Sequence, residues 1–170
     1  MAIASGAEVM MLAPNSSVSD RAIQIVQLNR RRLKLLAGDS ISTAKVLKVA
    51  GKEAVDMVVA VPTDLASLPF RQQSEQLWGR TASISWRTGL SYDATQALVA
   101  AMRREPSRNG IQRVLAQANF MASGATEPVR FMPSGDRQGG VRLMTVAPLR
   151  SGSRVLYEFK PIGLKPMPGK

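Results

Sequence analysis

The first sixty residues alternate short apolar runs with segments of helical spacing, and this alternation constrains the fold more than any other feature. Residues 8–13, Glu-Val-Met-Met-Leu-Ala, are mostly apolar and end in Pro14-Asn15-Ser16-Ser17. From Asp20 onward Ala22, Ile23, Val26 and Leu28 fall near helical spacing. Asp20 suits the positive start of that helix and Arg30 to Arg32 its negative end. Leu33 to Ala37 reads as a second short strand, closed by Gly38-Asp39-Ser40. Thr43 to Ala50 makes a short helix stopped by Gly51. Val55 to Val61 is the most strand-like run and is ended by Pro62. The product is β-α-β-α-β with short connections, a parallel, doubly wound α/β pattern of the Rossmann-like class with flanking helices on the faces of the sheet.

Beyond this unit the pattern changes. Residues 63–69 read as a proline-containing loop, Phe70 to Trp78 as a short helix, and Arg80 to Trp86 as irregular. Leu90 to Arg104 is the most regular helix, with Leu90, Ala94, Ala97, Leu98, Ala101 and Met102 on one face. Pro106 to Gly110 breaks it, and Ile111 to Ala118 forms another. Val129 to Met132, Val141 to Val146 and Val155 to Phe159 read as three short strands separated by turns such as Ser134-Gly135-Asp136. A flexible tail is expected over 163–170. Ala2 to Gly6 resembles the last turn of a helix whose beginning is absent.

Composition removes several function classes. Of 170 residues 45% are hydrophobic and 21% charged, the balance of a soluble globular protein. There is no cysteine and no histidine, so neither disulfides, thiolate metal sites, Ser-His-Asp catalysis nor the common zinc sites are available. The N-terminus lacks the basic and apolar regions of a secretory signal. The net charge of +11 attracts nucleic acid or acidic partners, yet only Arg30-Arg31-Arg32 with Lys34 forms a cluster. A basic nucleic-acid-associated module is therefore the alternative reading. Scarce aromatics, at 5%, and the lack of any RNA or DNA motif count against it.

Ser42-Thr43-Ala44-Lys45 fits the Ser-x-x-Lys pattern of serine acylases without its companion motifs, so a helix cap followed by a surface lysine is the better account. No catalytic residue, metal site or cofactor is expected, and the chain does not read as an enzyme. The polar loops that follow strands carry more information, because open α/β sheets bind ligands beyond the carboxyl ends of their strands. Asn15, Ser16 and Ser17 follow the first strand, and Asp39 and Ser40 the second. Together they offer an amide, hydroxyls and one carboxylate, suited to a small zwitterion. Helix capping is the competing use. It accounts better for Ser17 and Ser40, while for Asn15 and Asp39 both uses stand.

Several stretches resemble the type I periplasmic binding proteins, the branched-chain amino acid receptors of ABC transporters. They are Gly6-Ala7-Glu8-Val9 through Leu12-Ala13-Pro14, Leu35 to Ser40, and Gly51 to Asp56, which is similar to a G-x-x-A-x-G entry with Asp56 in place of the last glycine. Ser91-Tyr92-Asp93-Ala94 resembles the family's Tyr-Asp-Ala helix, and Gly124 to Arg137 its F-x-x-x-G-D segment. The similarity covers about residues 2 to 162, the C-terminal half only. It implies an incomplete two-lobed architecture. Residues 1–62 would be most of lobe two, 63–122 a mainly helical return to lobe one, and 123–162 closing strands near the hinge and lobe two. It further implies a ligand such as an amino acid or amide, with Asp39 taking its ammonium group. A membrane permease as partner and a periplasmic or extracytoplasmic location follow from the same resemblance. Edges left open by the missing half favour self-association.

Overall fold

The computed structural model describes residues 4, 6–62, 68–79 and 84–163. The tail over 164–170, most of the loop expected over 63–69, the stretch 80–83 and most of the helical turn before Gly6 lie outside them. The chain divides into two units, one formed by residues 1–61 and 141–170, the other by residues 62–140.

The first unit is a five-stranded sheet in the order β1-β2-β3-β4-β5. Strand β1 (Val9–Leu12), helix α1 (Ser19–Asn29), β2 (Lys34–Ala37), α2 (Ala44–Ala50) and β3 (Val58–Val61) follow the alternation read from the sequence. β1, β2 and β3 are parallel. The parallel order read over the first sixty residues holds for β1 to β3, while β4 (Arg142–Ser151) runs antiparallel to β3 and β5 (Arg154–Pro161) is its hairpin partner. The sheet is mixed because β4 enters from the excursion through residues 62–140 and not from a crossover helix.

The strands step from β1 to β3 without reversing, so two right-handed crossovers put α1 and α2 on the same face. That face is the core. Leu12, Leu35, Ala37, Val59, Val61, Met144 and Val146 are buried there, as are Ile23 and Val26 of α1 and Val46 of α2. Each fully buried aliphatic side chain of this kind contributes about 1.5–3 kcal/mol.

Two connections carry left-handed backbone without glycine. Arg30 (φ 47°) and Arg31 (φ 60°) end α1, and Asp56 (φ 69°) precedes β3. Asn29 supports the first. It is buried, its Nδ2 donates to the Leu33 carbonyl (2.9 Å), and its Oδ1 accepts from the Leu33 N–H (3.1 Å). Asp56 replaces the strand start expected at Val55, and Gly51–Ala54 is a 3-10 turn.

The second unit is helical, with α3 (Leu68–Trp78), α4 (Trp86–Arg104) and α5 (Arg108–Leu115). The irregular stretch expected to run to Trp86 stops short of it, because Thr88 Oγ1 accepts the Ser85 N–H (3.2 Å) and starts α4 there. Ser107 likewise starts α5 inside the expected break, accepting the Gly110 N–H (3.0 Å). The buried stripe of α4 is Gly89, Asp93, Ala97 and Ala101. The expected face differs, since Leu98 and Met102 are exposed. Ala97 and Ala101 share a core with Val114 of α5 and with Phe120, Ala122 and Val129. The strand expected over Val129 to Met132 is replaced by two isolated bridges, Ala122 with Val129 and Phe131 with Arg137. Through these contacts residues 123–140 belong with the helices rather than with the closing strands.

Candidate ligand-binding site

Within the sheet unit, Leu12 and Ala37 are in register as the last residues of neighbouring parallel strands. Residues 13–17 and 38–40 therefore leave the sheet side by side at its carboxyl edge, and the Gly38 N–H reaches the Leu12 carbonyl (3.4 Å). The structure thus brings both polar segments to one edge.

Asn15 caps the 3-10 turn Ser16–Val18. Its Oδ1 accepts from the Ser17 N–H (3.1 Å) and from Ser17 Oγ (2.6 Å). Capping thus occupies the oxygen of Asn15 and the hydroxyl of Ser17, and the Nδ2 group is the donor this cap does not use. Ser16 contributes backbone to the turn, and its side chain lies outside what is described. Asp39 opens the 3-10 turn Asp39–Ile41, where its carbonyl accepts the Ser42 N–H (2.9 Å). Ser40 Oγ stands 3.4 Å from Asp39 Oδ1. Both side chains are half-buried. The edge thus presents an amide, hydroxyls and a carboxylate beside a sheet end, a set that can hold a small polar ligand.

A groove of about 340 Å³ adjoins this edge on the outer side of β1, lined by Met11, Pro14, Val18, Ile25 and Arg21. The sequence reading overlooked it. Its signal was Arg21 one helical turn before Ile25 on α1.

Residues weighed for other chemistry have structural partners. Lys45 Nζ pairs with Asp20 Oδ1 (2.5 Å), and Thr43 Oγ1 accepts the Val46 N–H (3.3 Å) to cap α2. In the arginine cluster, Arg31 pairs with Asp56 (2.6 Å), while Arg32 donates to the carbonyls of Leu28 and Asn29 (3.2 Å each) at the end of α1. Arg30 provides the helix terminus itself, its N–H reaching the Gln27 carbonyl.

A second polar constellation, also overlooked, lies in the helical unit. Asp93 is buried in the stripe of α4. Its Oδ2 takes Arg137 Nη2 (2.7 Å), and its Oδ1 accepts the Ala125 N–H (2.6 Å). Arg137 Nη1 also reaches Glu127 Oε1 (3.5 Å). These bonds hold the segment 124–137 against α4. The sequence signal was a charged residue within an otherwise small and apolar helical stripe.

No family model and no curated protein matches the sequence. Solved structures match its fold. A leucine-binding protein of Thermotoga maritima superposes with a TM-score of 0.70 at 16% identity, over 94% of this chain and 45% of its own. The leucine-, isoleucine-, valine-, threonine- and alanine-binding protein of Brucella ovis, in its closed conformation, gives 0.72 at 12% identity, over 94% and 43%. A solute-binding protein of an ABC transporter from Rhodopseudomonas palustris, in complex with 3,4-dihydroxybenzoic acid, gives 0.70 at 13% identity, over 95% and 46%. The chain spans less than half the length of these structures. The likeness is one of fold: an open α/β sheet unit and a helical unit, as in part of these solute-binding proteins.

Proposed function

We propose that this chain is part of an ABC-transporter solute-binding protein that recognises a small amino acid or amide. The observation that carries the reading is the meeting of two polar loops at the carboxyl ends of β1 and β2, in a fold shared with receptors for such solutes. In this reading the sheet unit is lobe two and the helical unit belongs to lobe one. Asn15, Ser16, Ser17, Asp39 and Ser40 line one wall of the site. Asp39 takes the ammonium group, because a carboxylate is the strongest available partner for a cation. Asn15 Nδ2 and the Ser40 hydroxyl orient the remainder, and Ser17 Oγ, whose proton goes to Asn15 Oδ1, serves as an acceptor. A membrane permease is the partner, and the location is extracytoplasmic. The chemistry proposed is binding, without covalent steps.

The test is a thermal-shift and calorimetric screen of the protein purified from its source, with L-leucine, L-valine, an amino acid amide and 4-hydroxybenzoate as probes. A ligand at a hundredfold excess over its Kd stabilises the folded state by about 2.7 kcal/mol, well within reach of the measurement. Stabilisation by an amino acid or its amide supports the proposal. Indifference to all four removes the receptor reading. A response to 4-hydroxybenzoate alone overturns the role given to Asp39.

A further inference from the structure

At the amino ends of its parallel strands the sheet unit changes character. β4 stays paired with β3 only as far as Val146, whose N–H donates to the Met57 carbonyl (3.2 Å) and whose carbonyl accepts the Asp56 N–H (3.0 Å). Past that point β4 and β5 continue as a hairpin, with Leu149 opposite Leu156, Arg150 opposite Val155 and Ser151 opposite Arg154. It turns at Gly152, whose φ of 59° suits the first position of a two-residue hairpin turn. Every residue from Pro148 to Leu156 is exposed. The tip therefore projects roughly 15 Å beyond the amino ends of β1 to β3, at about 3.3 Å per residue.

Two properties of this tip point to its partner. It is apolar where it is most accessible: Leu149 is 43% exposed, Leu156 49% and Val155 56%. It is also cationic. Arg150 and Arg154 flank the Leu149–Leu156 pair, and among the described residues neither forms an ion pair. The same end of the sheet unit carries Arg30 to Arg32 where α1 ends, Lys34 at the start of β2 and Lys52 after α2. All of these cations are exposed, and with the two hairpin arginines they outnumber the carboxylates there, Glu8, Glu53, Asp56 and Glu158. Asn15 and Asp39 lie at the opposite, carboxyl edge.

We infer that this basic pole docks on an anionic phospholipid surface, with the hairpin tip as the element that enters it. Leu149, Val155 and Leu156 pass into the boundary between headgroups and acyl chains, about 5–10 Å deep for interfacial elements. Arg150 and Arg154 lay their methylene stems along that apolar contact and hold lipid phosphate oxygens with their guanidinium groups. The arginine cluster and Lys34 stay in the negative field of the surface. A nucleic acid would match the charge but not the tip. Pro148 to Leu156 hold no aromatic ring on which bases could stack, and their three large apolar side chains would stay bare against a phosphate backbone. Docking by this pole leaves the edge with Asn15 and Asp39 turned away from the lipid. The inference rests on the pole and not on the ligand reading, so the ligand screen and the following experiment fail separately.

Co-sedimentation with vesicles tests it. The purified protein is spun with vesicles of phosphatidylcholine alone and of phosphatidylcholine mixed with phosphatidylglycerol. The expected result is binding to the anionic vesicles only, weakened sharply by salt at about 1 M, where the Debye length is about 3 Å. Arg150→Gln with Arg154→Gln should weaken binding about 25-fold, at about fivefold for each basic residue. Leu149→Ser with Leu156→Ser should weaken it about tenfold or more. All four side chains are exposed, so melting temperatures should not change. Arg21→Gln with Lys45→Gln removes as much charge from the other end of the sheet unit and should leave binding intact. Equal binding to both kinds of vesicle, equal losses in the two charge variants, or unchanged binding in the leucine variant overturns the inference. So does tighter binding to single-stranded RNA than to anionic vesicles. A leucine variant whose effect is a smaller mass by light scattering, with vesicle binding unchanged, makes the tip a contact between copies and overturns it too.

Discussion

Arg137 and Asp93 are joined by a 2.7 Å ion pair across 44 residues of sequence, and the side chain of Asp93 is only 3% exposed. The same carboxylate accepts the Ala125 N–H, so one buried charge holds two points of the segment 124–137. Removing one partner of a buried pair leaves the other uncompensated and costs about 3–5 kcal/mol. Asp93→Ala should lower stability by that order in guanidinium chloride unfolding. Arg137→Met combined with Asp93→Leu should cost less than Asp93→Ala alone. A loss below about 1 kcal/mol for Asp93→Ala, the range of an exposed pair, would show that this pair does not organise the segment.

Gly124 lies beside this pair because nothing larger fits. A Cβ there would stand 2.0 Å from the Glu127 carbonyl oxygen and 3.1 Å from Asp93 Oδ1. Gly124→Ala must displace the backbone of residues 124–127 and should cost about 1–3 kcal/mol, the range of overpacking. Gly38→Ala is the control, since its Cβ meets nothing within 4 Å and its φ of −84° suits any residue. Equal melting temperatures for the two variants would contradict the crowding argument.

At Asp56 the backbone asks for glycine (φ 69°), and aspartate is held there with an exposed ion pair to Arg31. The pair is worth at most about 1 kcal/mol, whereas a left-handed residue with a Cβ costs roughly 1–2 kcal/mol. Asp56→Gly should therefore be neutral or stabilising. Asp56→Ala, which keeps the strain and loses the pair, should be destabilising. Thermal unfolding of the two variants side by side decides it, and the reverse order would refute the strain assignment.

In a buried turn Asn29 accepts from the N–H of Leu33 and donates to its C=O. Asn29→Ala leaves a buried N–H and a buried C=O unpaired, each costing about 1–3 kcal/mol. The expected outcome is a loss of about 2 kcal/mol or more in urea unfolding. Hydrogen exchange should also quicken at Leu33, and an unchanged Leu33 exchange rate would refute the clasp.

For the ligand reading, Asp39→Ala in the whole protein should weaken amino acid binding by about 1.5–3 kcal/mol, the value of a hydrogen bond to a charged group. Calorimetry showing unchanged affinity would remove Asp39 from the site.

Much of the sheet unit was legible locally. The three parallel strands, α1 and α2 stand where apolar runs, capping residues and glycine stops put them, because each element depends on its own few residues. The start of β3 was misread, since Val55 and Asp56 have strand-like neighbours while Asp56 takes a left-handed turn. In α4 the buried stripe was misread for a different reason. Hydropathy favours Leu98 and Met102, but α5 packs closely against the small residues Ala97 and Ala101. Which face of a helix is buried depends on what lies beside it.

The candidate site divides in the same way. Asn15 and Asp39 were identifiable as polar residues following strands, yet their placement on one edge depends on β1 and β2 being neighbours in register. By itself the sequence determined β1, β2, α1, α2 and the lack of histidine and cysteine, since these follow from residue types and short-range spacing. Only the tertiary structure decided the antiparallel entry of β4, the Asp93–Arg137 pair and the meeting of the two loops. Each of these joins segments through space, and short-range spacing carries no record of which distant backbone will arrive to complete a contact.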